Sequence, residues 1–317
     1  MKNRFKRVLT ESGGTGAAVR LAMRLPRQLG DRITALPDFV LRRLPMSVFT
    51  NARDSDRLSK NAELAGKHKS ERCFILATGP SLREQDISGL EGETIITVNQ
   101  GFYFARERGL SPTYHCLVDD LFLEPRFDGL HRELAQSLNE WDANLLTTID
   151  LGDHWMDLGL ESETFAVRQV LNSRPWDEAD IPVSVDPTMA VPGFVSVVHA
   201  AISWAIYMGF KEIYLLGCDM DYFISPQQAY MRCYDDDRYL SNKEATADLF
   251  SRDQVGLIEW ILVEFRAFAN LGKTAQIHGS QIVNAGEGGA LNVYPRSELR
   301  TVLGTPECLT PPGTGTH

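Results

Sequence analysis

The sequence predicts an α/β protein with a mostly parallel sheet, helices on both faces and a basic helical arm at the N-terminus. Three observations carry that expectation. Runs rich in apolar and β-branched residues, such as 73–77, 93–98 and 211–217, read as strands buried on both faces. They alternate with helical spacing, clearest in Val195, Val198, Ala201, Ile202, Ala205 and Ile206. Each strand ends in small or polar residues, where an open α/β sheet binds its ligands.

The chain of 317 residues, 43% hydrophobic and 23% charged, can bury one large core with an extension. Its net charge of -10 hides a split. Residues 1–70 carry 15 Lys/Arg against 6 Asp/Glu, which leaves 17 against 36 of the totals of 32 and 42. In the arm, Val19, Leu21, Met23, Leu25, Leu29, Ile33 and Leu36 alternate with Arg20, Arg24, Arg27 and Arg32, and Pro26, Pro37 and Pro45 break it into pieces. It reads either as a solvated helical extension or as a surface for anionic lipid or a partner. Its basic start precedes no continuous apolar segment, so no secretory signal is expected. No run reaches the ~18 apolar residues of a membrane span. The five cysteines are widely spaced and read as buried thiols of a reducing cytoplasm. An acidic body without a basic-aromatic stripe argues against nucleic-acid binding. The expected organisation is arm and linker over 1–69, one core domain over 70–300, and a flexible tail over 301–317.

In chain order, the strand at 73–77 stops at Thr78-Gly79-Pro80-Ser81. Gly79 permits a tight turn, Pro80 suits a first helical turn, and Ser81 adds a hydroxyl near free N–H groups. Such a turn either cradles the phosphates or ribose of a nucleotide or is an ordinary strand-to-helix connection. The strand at 93–98 ends in Asn99-Gln100-Gly101. A short helix at 102–108 closes at Gly109, and the strand at 112–118 ends in Asp119-Asp120. These two carboxylates either hold Mg²⁺ or a ribose hydroxyl, or Asp120 caps the next element. A helix at 130–140 and a strand at 144–149 follow. Residues 150–185 read as irregular, a lid or acceptor-side subdomain. The helix at 193–208 closes at Gly209, and the strand at 211–217 leads to Asp219 and Asp221.

Residues 223–252, with Tyr230, Tyr234, Asp235, Asp236, Asp237 and Tyr239, read either as a loop over a site or as a solvated acidic insert. A helix at 253–271 capped by Gly272, then strands at 274–278 and 281–284, complete the domain. Phosphate-loop and nucleophile-elbow patterns are absent, and no His-rich metal pattern is visible. His115 and His199 read as core histidines, and His278 as a site candidate.

The segments Cys73–Leu82, Val98–Gln100, Tyr114–Asp120, Gly209–Asp219 and Asn284–Pro295, in this order, resemble the 6-hydroxymethylpterin diphosphokinase MptE-like family. They are also similar to the bacterial sialyltransferases of glycosyltransferase family 42. The resemblance runs from about residue 70 to about 296. It implies a Rossmann-like nucleotide-binding fold. It further implies that Gly79, Pro80, Ser81 and Asn99 hold the donor nucleotide, with Gly217 and Asp219 at the same site and Pro192-Gly193 entering the following helix; Thr78, Gln100 and Asp119 join them as candidates from their places at the strand ends.

The chain departs from the sialyltransferases in carrying Thr78 before Gly-Pro-Ser and in lacking histidine between 200 and 277. The base then falls to Asp219, Asp221, Tyr234 or Asp235. In the diphosphokinase alternative, ATP with Mg²⁺ supplies the group, and Asp119, Asp120, Asp219 and Asp221 are the metal-ligand candidates. The resemblance thus points to a transferase with a nucleotide-activated donor. The expected reaction is glycosyl transfer in cell-surface polysaccharide assembly, in the cytoplasm, with a lipid-linked glycan acceptor reached through the basic arm. Diphosphate transfer to 6-hydroxymethylpterin is the alternative. A third reading is a nucleotide-binding scaffold without catalysis.

Overall fold

The structure is a computed structural model that describes residues 52–119, 122, 124, 127–170, 179–221, 233 and 254–304. The basic arm before residue 52, Asp120, Tyr234, Asp235 and residues 305–317 lie outside the described residues, whereas residues 301–303 of the expected tail belong to a short helix that starts at Leu299.

A parallel sheet carries the fold, as the sequence predicts, and it has eight strands. The strands are β1 (Arg72–Leu76), β2 (Thr94–Val98), β3 (Tyr114–Leu117), β4 (Asn144–Thr148), β5 (Thr164–Val170), β6 (Ala190–Pro192), β7 (Glu212–Leu216) and β8 (Gln281–Asn284). Their order in space is β6-β5-β4-β3-β2-β1-β7-β8. The chain winds outward from β1 to β6, then returns past its starting point to lay β7 on the other side of β1. Cys73 of β1 is therefore in register with Thr94 of β2 on one side and Ile213 of β7 on the other. The loops leaving β1 and β7 diverge at that reversal, where an α/β sheet forms its ligand crevice.

Alternation along each strand divides the core in two. Cys73, Ile75, Ile96, Val98, Cys116, Ile213 and Leu215 face α6 (Val197–Met208) and α7 (Gln254–His278), and pack with Ala201, Trp204, Ala205 and Phe268. Phe74, Leu76, Ile95, Leu117, Leu145 and Leu216 face the other layer. That layer holds α3 (Gly101–Glu107), α4 (Asp128–Trp141) and α5 (Ile149–Asp157). Two further short helices are α2 (Ser81–Glu84), directly after β1, and α8 (Leu299–Leu303). Ahead of the sheet, α1 (Ala52–Lys60) docks on β5, and Asn61 Nδ2 donates to the Ala166 and Pro187 carbonyls, both at 2.8 Å.

Four details differ from the sequence reading. Residues 150–185 are not uniformly irregular: α5 and β5 fall within them. Thr148 Oγ1 caps α5 by accepting from Leu151 N at 3.3 Å, and Leu151 and Trp155, one turn apart, bury one apolar stripe under the acidic composition. The helix expected from 193 starts at Val197. Pro192 ends the edge strand β6 instead, the place in a sheet where proline costs no ladder bond.

The strand expected at 274–278 is the continuation of α7. Gly272 does not cap that helix. A Cβ there would lie 3.0 Å from Tyr294 Cε1, so the glycine admits the tyrosine ring, and the left-handed residue past the helix is Gly279, at φ 78°. The apolar stripe of α7 is also divided: Phe268 and Leu271 are buried, whereas Val255, Ile258 and Leu262 are exposed.

Among the described residues, no helix is long and apolar enough to cross a membrane. Cys73, Cys116, Cys218 and Cys233 are buried thiols with no disulfide between them.

Candidate functional site

The exits of β1 and β7 are knitted together. Ala77 N donates to Leu216 O at 2.9 Å, and Gly79 N to Gly217 O at 2.8 Å. Two residues on, Ser81 N donates to Asp219 Oδ2 at 2.9 Å and the Ser81 hydroxyl to Asp219 Oδ1. Asp219 is 6% exposed. The sequence reading leaves the Gly-Pro-Ser turn either as a cradle for a nucleotide's phosphates or ribose or as an ordinary strand-to-helix connection. In the structure the Asp219 carboxylate takes the donors of Ser81, and α2 is a single turn. Gly79 has a corresponding reason. A Cβ at this position would lie 2.6 Å from Asp219 Cγ, so the missing side chain admits the β7 exit.

A third segment closes over the same point. Ala290 N donates to Asp219 O, and a Cβ on Gly289, held at φ 83°, would overlap the Asp219 backbone. Arg296 fixes this glycine-rich stretch by donating to the carbonyls of Gly286 and Gly288, both at 2.7 Å. Cys233, immediately before Tyr234 in sequence, donates its N–H to Thr78 O at 3.1 Å and is 2% exposed. The acidic insert is thus anchored on the β1 turn at that residue.

Asp221 is partly buried, and its proton affinity is raised, first by burial and then by the negative charge of Asp219. Met220 between them is in the left-handed region at φ 52°.

At the β2 exit, Asn99 adopts φ 48°, a conformation asparagine tolerates better than most residues. Its N–H donates to Cys116 O at 3.1 Å, and its buried Oδ1 has no hydrogen-bond partner among the described residues. Gln100 is buried at the start of α3.

Asp119 belongs to a separate part of the strand-end surface. It is exposed at the β3 exit, two strand spacings or about 10 Å from β1. There it lines a cavity of about 270 Å³ with Thr148, Asp150, Arg168, Gln169 and Ser196. Gly193 is buried in the connection between β6 and α6. The predicted residues therefore divide between the β1/β7 reversal (Thr78–Ser81 and Gly217–Asp221) and the β3–β6 cavity (Asp119), with Asn99 on the intervening strand. Asp119, Asp219 and Asp221 take no part in the three-ligand group found among the described residues, which lies elsewhere.

Arg168 is the residue sequence reasoning missed. Its side chain is 5% exposed and donates to Asp54 at 2.8 Å and Asp150 at 3.0 Å. Burial works against its charge, but the hydrogen bond to Asp54 and the two carboxylates outweigh it and hold the guanidinium above its ordinary value. The available signal was an arginine directly after the apolar run Phe165-Ala166-Val167. Beside it, Gln169 donates to Val118 O at 3.1 Å and accepts from Phe194 N at 3.0 Å, which ties β5 to β3 and to the approach to α6.

The core histidines are as expected. His115 shares a 2.8 Å hydrogen bond with Thr97, and His199 Nδ1 accepts from Ser196 N at 3.2 Å at the start of α6. Burial lowers both to about 3, so both are neutral. His278 is exposed at the end of α7, away from the carboxyl ends of the strands.

Residues 47–224, more than half of the chain, match the model of the family described as 6-hydroxymethylpterin diphosphokinase MptE-like. No curated protein matches the chain.

Proposed function

The chain belongs to the 6-hydroxymethylpterin diphosphokinase MptE-like family, and from that premise we propose a transferase that moves a group from a nucleotide-activated donor to a hydroxyl acceptor at the carboxyl ends of β1, β2 and β7. Asp221 carries the reading. It is a partly buried carboxylate of raised proton affinity, at the exit of the strand beside the topological reversal. A base of this kind supplies what the missing loop histidine would otherwise provide.

In the reaction we favour, the donor is a sugar nucleotide. Asn99 Oδ1 accepts a hydrogen bond from the base or ribose, and the Gly79-Pro80-Ser81 turn, braced by Asp219, fixes the nucleotide's position. The Asp221 carboxylate takes the proton of the acceptor hydroxyl as its oxygen bonds to the anomeric carbon. The bond from that carbon to the phosphate oxygen breaks, and the nucleotide leaves with the electron pair. Tyr234 and Asp235 follow Cys233 in the insert anchored on Thr78, and they are proposed to meet the acceptor. A lipid-linked glycan acceptor, the basic arm as the contact with the membrane surface and a cytoplasmic location complete the proposal.

The family's description favours a second reading, ATP-dependent diphosphate transfer to 6-hydroxymethylpterin. The described carboxylates do not fit a dedicated Mg²⁺ cage. Asp219 spends an oxygen on each Ser81 donor, and Asp119 stands on another strand end. Any Mg²⁺ would arrive with the nucleotide and rest chiefly on its phosphates.

Calorimetric titration with CMP, CDP, UDP, GDP and ATP, each with and without Mg²⁺, tests the choice. Cytidine or uridine nucleotide binding that ignores Mg²⁺ and is lost in Asn99→Ala is the expected result. Mg²⁺-dependent ATP binding would transfer the assignment to diphosphate transfer. Silence across the panel would remove the transferase reading and leave a scaffold.

A further inference from the structure

On the face of the sheet opposite α6 and α7, Asp128 and His131 project from the first turns of α4, one turn apart, and His154 from α5. One ligand atom from each lies within 4.8 Å of the others. His131 Nδ1 is 2.9 Å from His154 Nε2, and that same Nε2 is 3.9 Å from Asp128 Oδ1. Zinc bonds of about 2.0–2.1 Å to nitrogen, opened to a tetrahedral angle, set ligand nitrogens about 3.3 Å apart. The observed separations bracket that figure.

The surroundings are those of a metal site rather than of an open salt bridge. His131 is fully buried, whereas the His154 and Asp128 side chains are 28% and 44% exposed, so one side opens to solvent. His131 stands against Trp155, with ring centroids 4.6 Å apart, and Phe122 and Phe127 complete an apolar wall. A wall of this kind lowers the local dielectric and strengthens a bound cation's hold on its ligands.

The direct imidazole–imidazole contact is poorly served by protein groups alone. If His131 Nδ1 donates its proton, the lone pair of His154 Nε2 faces a carboxylate oxygen. A cation at the centre turns three mutually repelling acceptors into ligands.

We propose that Asp128, His131 and His154 bind one divalent transition-metal ion of the Zn²⁺ class, which pins α4 to α5 and leaves its fourth position to water or an anionic oxygen. Two histidines and a carboxylate suit Zn²⁺ better than Mg²⁺ or Ca²⁺, which prefer oxygen ligands. α4 and α5 follow the exits of β3 and β4, so the ion would brace the two helices beside the β3–β6 cavity. The site is independent of the transferase reading.

The test uses the full chain, stripped with a chelator, desalted and titrated at a pH about one unit above the ordinary histidine value of 6.5. One equivalent of Zn²⁺ should bind and raise the melting temperature. Co²⁺ should give the visible absorption of a four-coordinate nitrogen-oxygen site. His154→Ala and Asp128→Asn change partly exposed side chains. Each should weaken Zn²⁺ by about tenfold or more, which is at least what the loss of an outer-shell partner costs. Their unchanged circular dichroism would show that they fold. Zn²⁺ affinity and stoichiometry unaltered in both variants would overturn the proposal. So would a chain that takes up no Zn²⁺.

Discussion

Ser81 and Asp219, 138 residues apart in sequence, are joined by two hydrogen bonds, one from the serine N–H and one from its hydroxyl to the two carboxylate oxygens. The pair fastens the exit of β1 to the exit of β7 where the winding of the sheet reverses. Hydrogen bonds to a charged group contribute about 1.5–3 kcal/mol each. Ser81→Ala should therefore lower stability by roughly one such bond, and Asp219→Ala by more, because it also strips the partner from Ser81 N. In urea unfolding the double variant should fall short of the sum of the singles. Strict additivity would mean that the two residues do not act together.

The Arg168–Asp54 pair, at 5% and 7% side-chain exposure, holds α1 against β5. Arg168→Met leaves the Asp54 carboxylate buried without its guanidinium, which should cost about 3–5 kcal/mol. Replacing both residues by apolar side chains of similar volume should recover most of that loss. Denaturant midpoints of the three variants decide it, and a single variant within about 0.5 kcal/mol of the parent would show that the pair contributes little.

Asp221 gives a pH dependence with a definite sign. Its folded proton affinity is raised, so its contribution to stability falls as pH rises from the ordinary aspartate value of about 3.9 through the folded one. Asp221→Asn should accordingly be more stable than the parent at neutral pH, with the difference vanishing in acid. If Asp221 is the general base, the same substitution should slow turnover by about 10²–10⁴-fold and remove the acidic limb of the rate profile. Turnover that survives with that limb intact would shift the role to Tyr234 or Asp235.

His115 and His199 are buried neutral, at about 3 in the folded chain. The unfolded chain takes up protons at about 6.5, so stability should fall as pH drops from there towards 3, at up to about 1.4 kcal/mol per pH unit for each histidine. His115→Gln should flatten this slope in acid urea titrations. An unchanged slope would assign acid sensitivity to other groups.

The strands were legible because burial on both faces leaves an uninterrupted apolar signature, as in Cys73–Leu76 and Ile213–Leu216. Their order was not, because pairing β7 with β1 depends on a return across the whole sheet that no local pattern records. The same limit applied to the site. Gly79 announced a close approach, but only the fold reveals that the approaching group is Asp219. His131 and His154 come from different helices, so their spacing in sequence resembles no metal motif. α5 and β5 escaped notice because Asp150, Glu161 and Glu163 gave their surroundings the composition of a loop.

The placement of β1 between β2 and β7 also sets an order of events during synthesis. Strands β1 to β4 leave the ribosome well before β7, and until β7 arrives one edge of β1 offers the apolar run Cys73-Phe74-Ile75-Leu76 with its backbone unpaired. Closing so long a loop is entropically slow, and an uncovered parallel edge invites association with other nascent chains. The crevice between β1 and β7 is therefore among the last features to form. Chains truncated before residue 212 would lack it, and would present the sticky edge in its place.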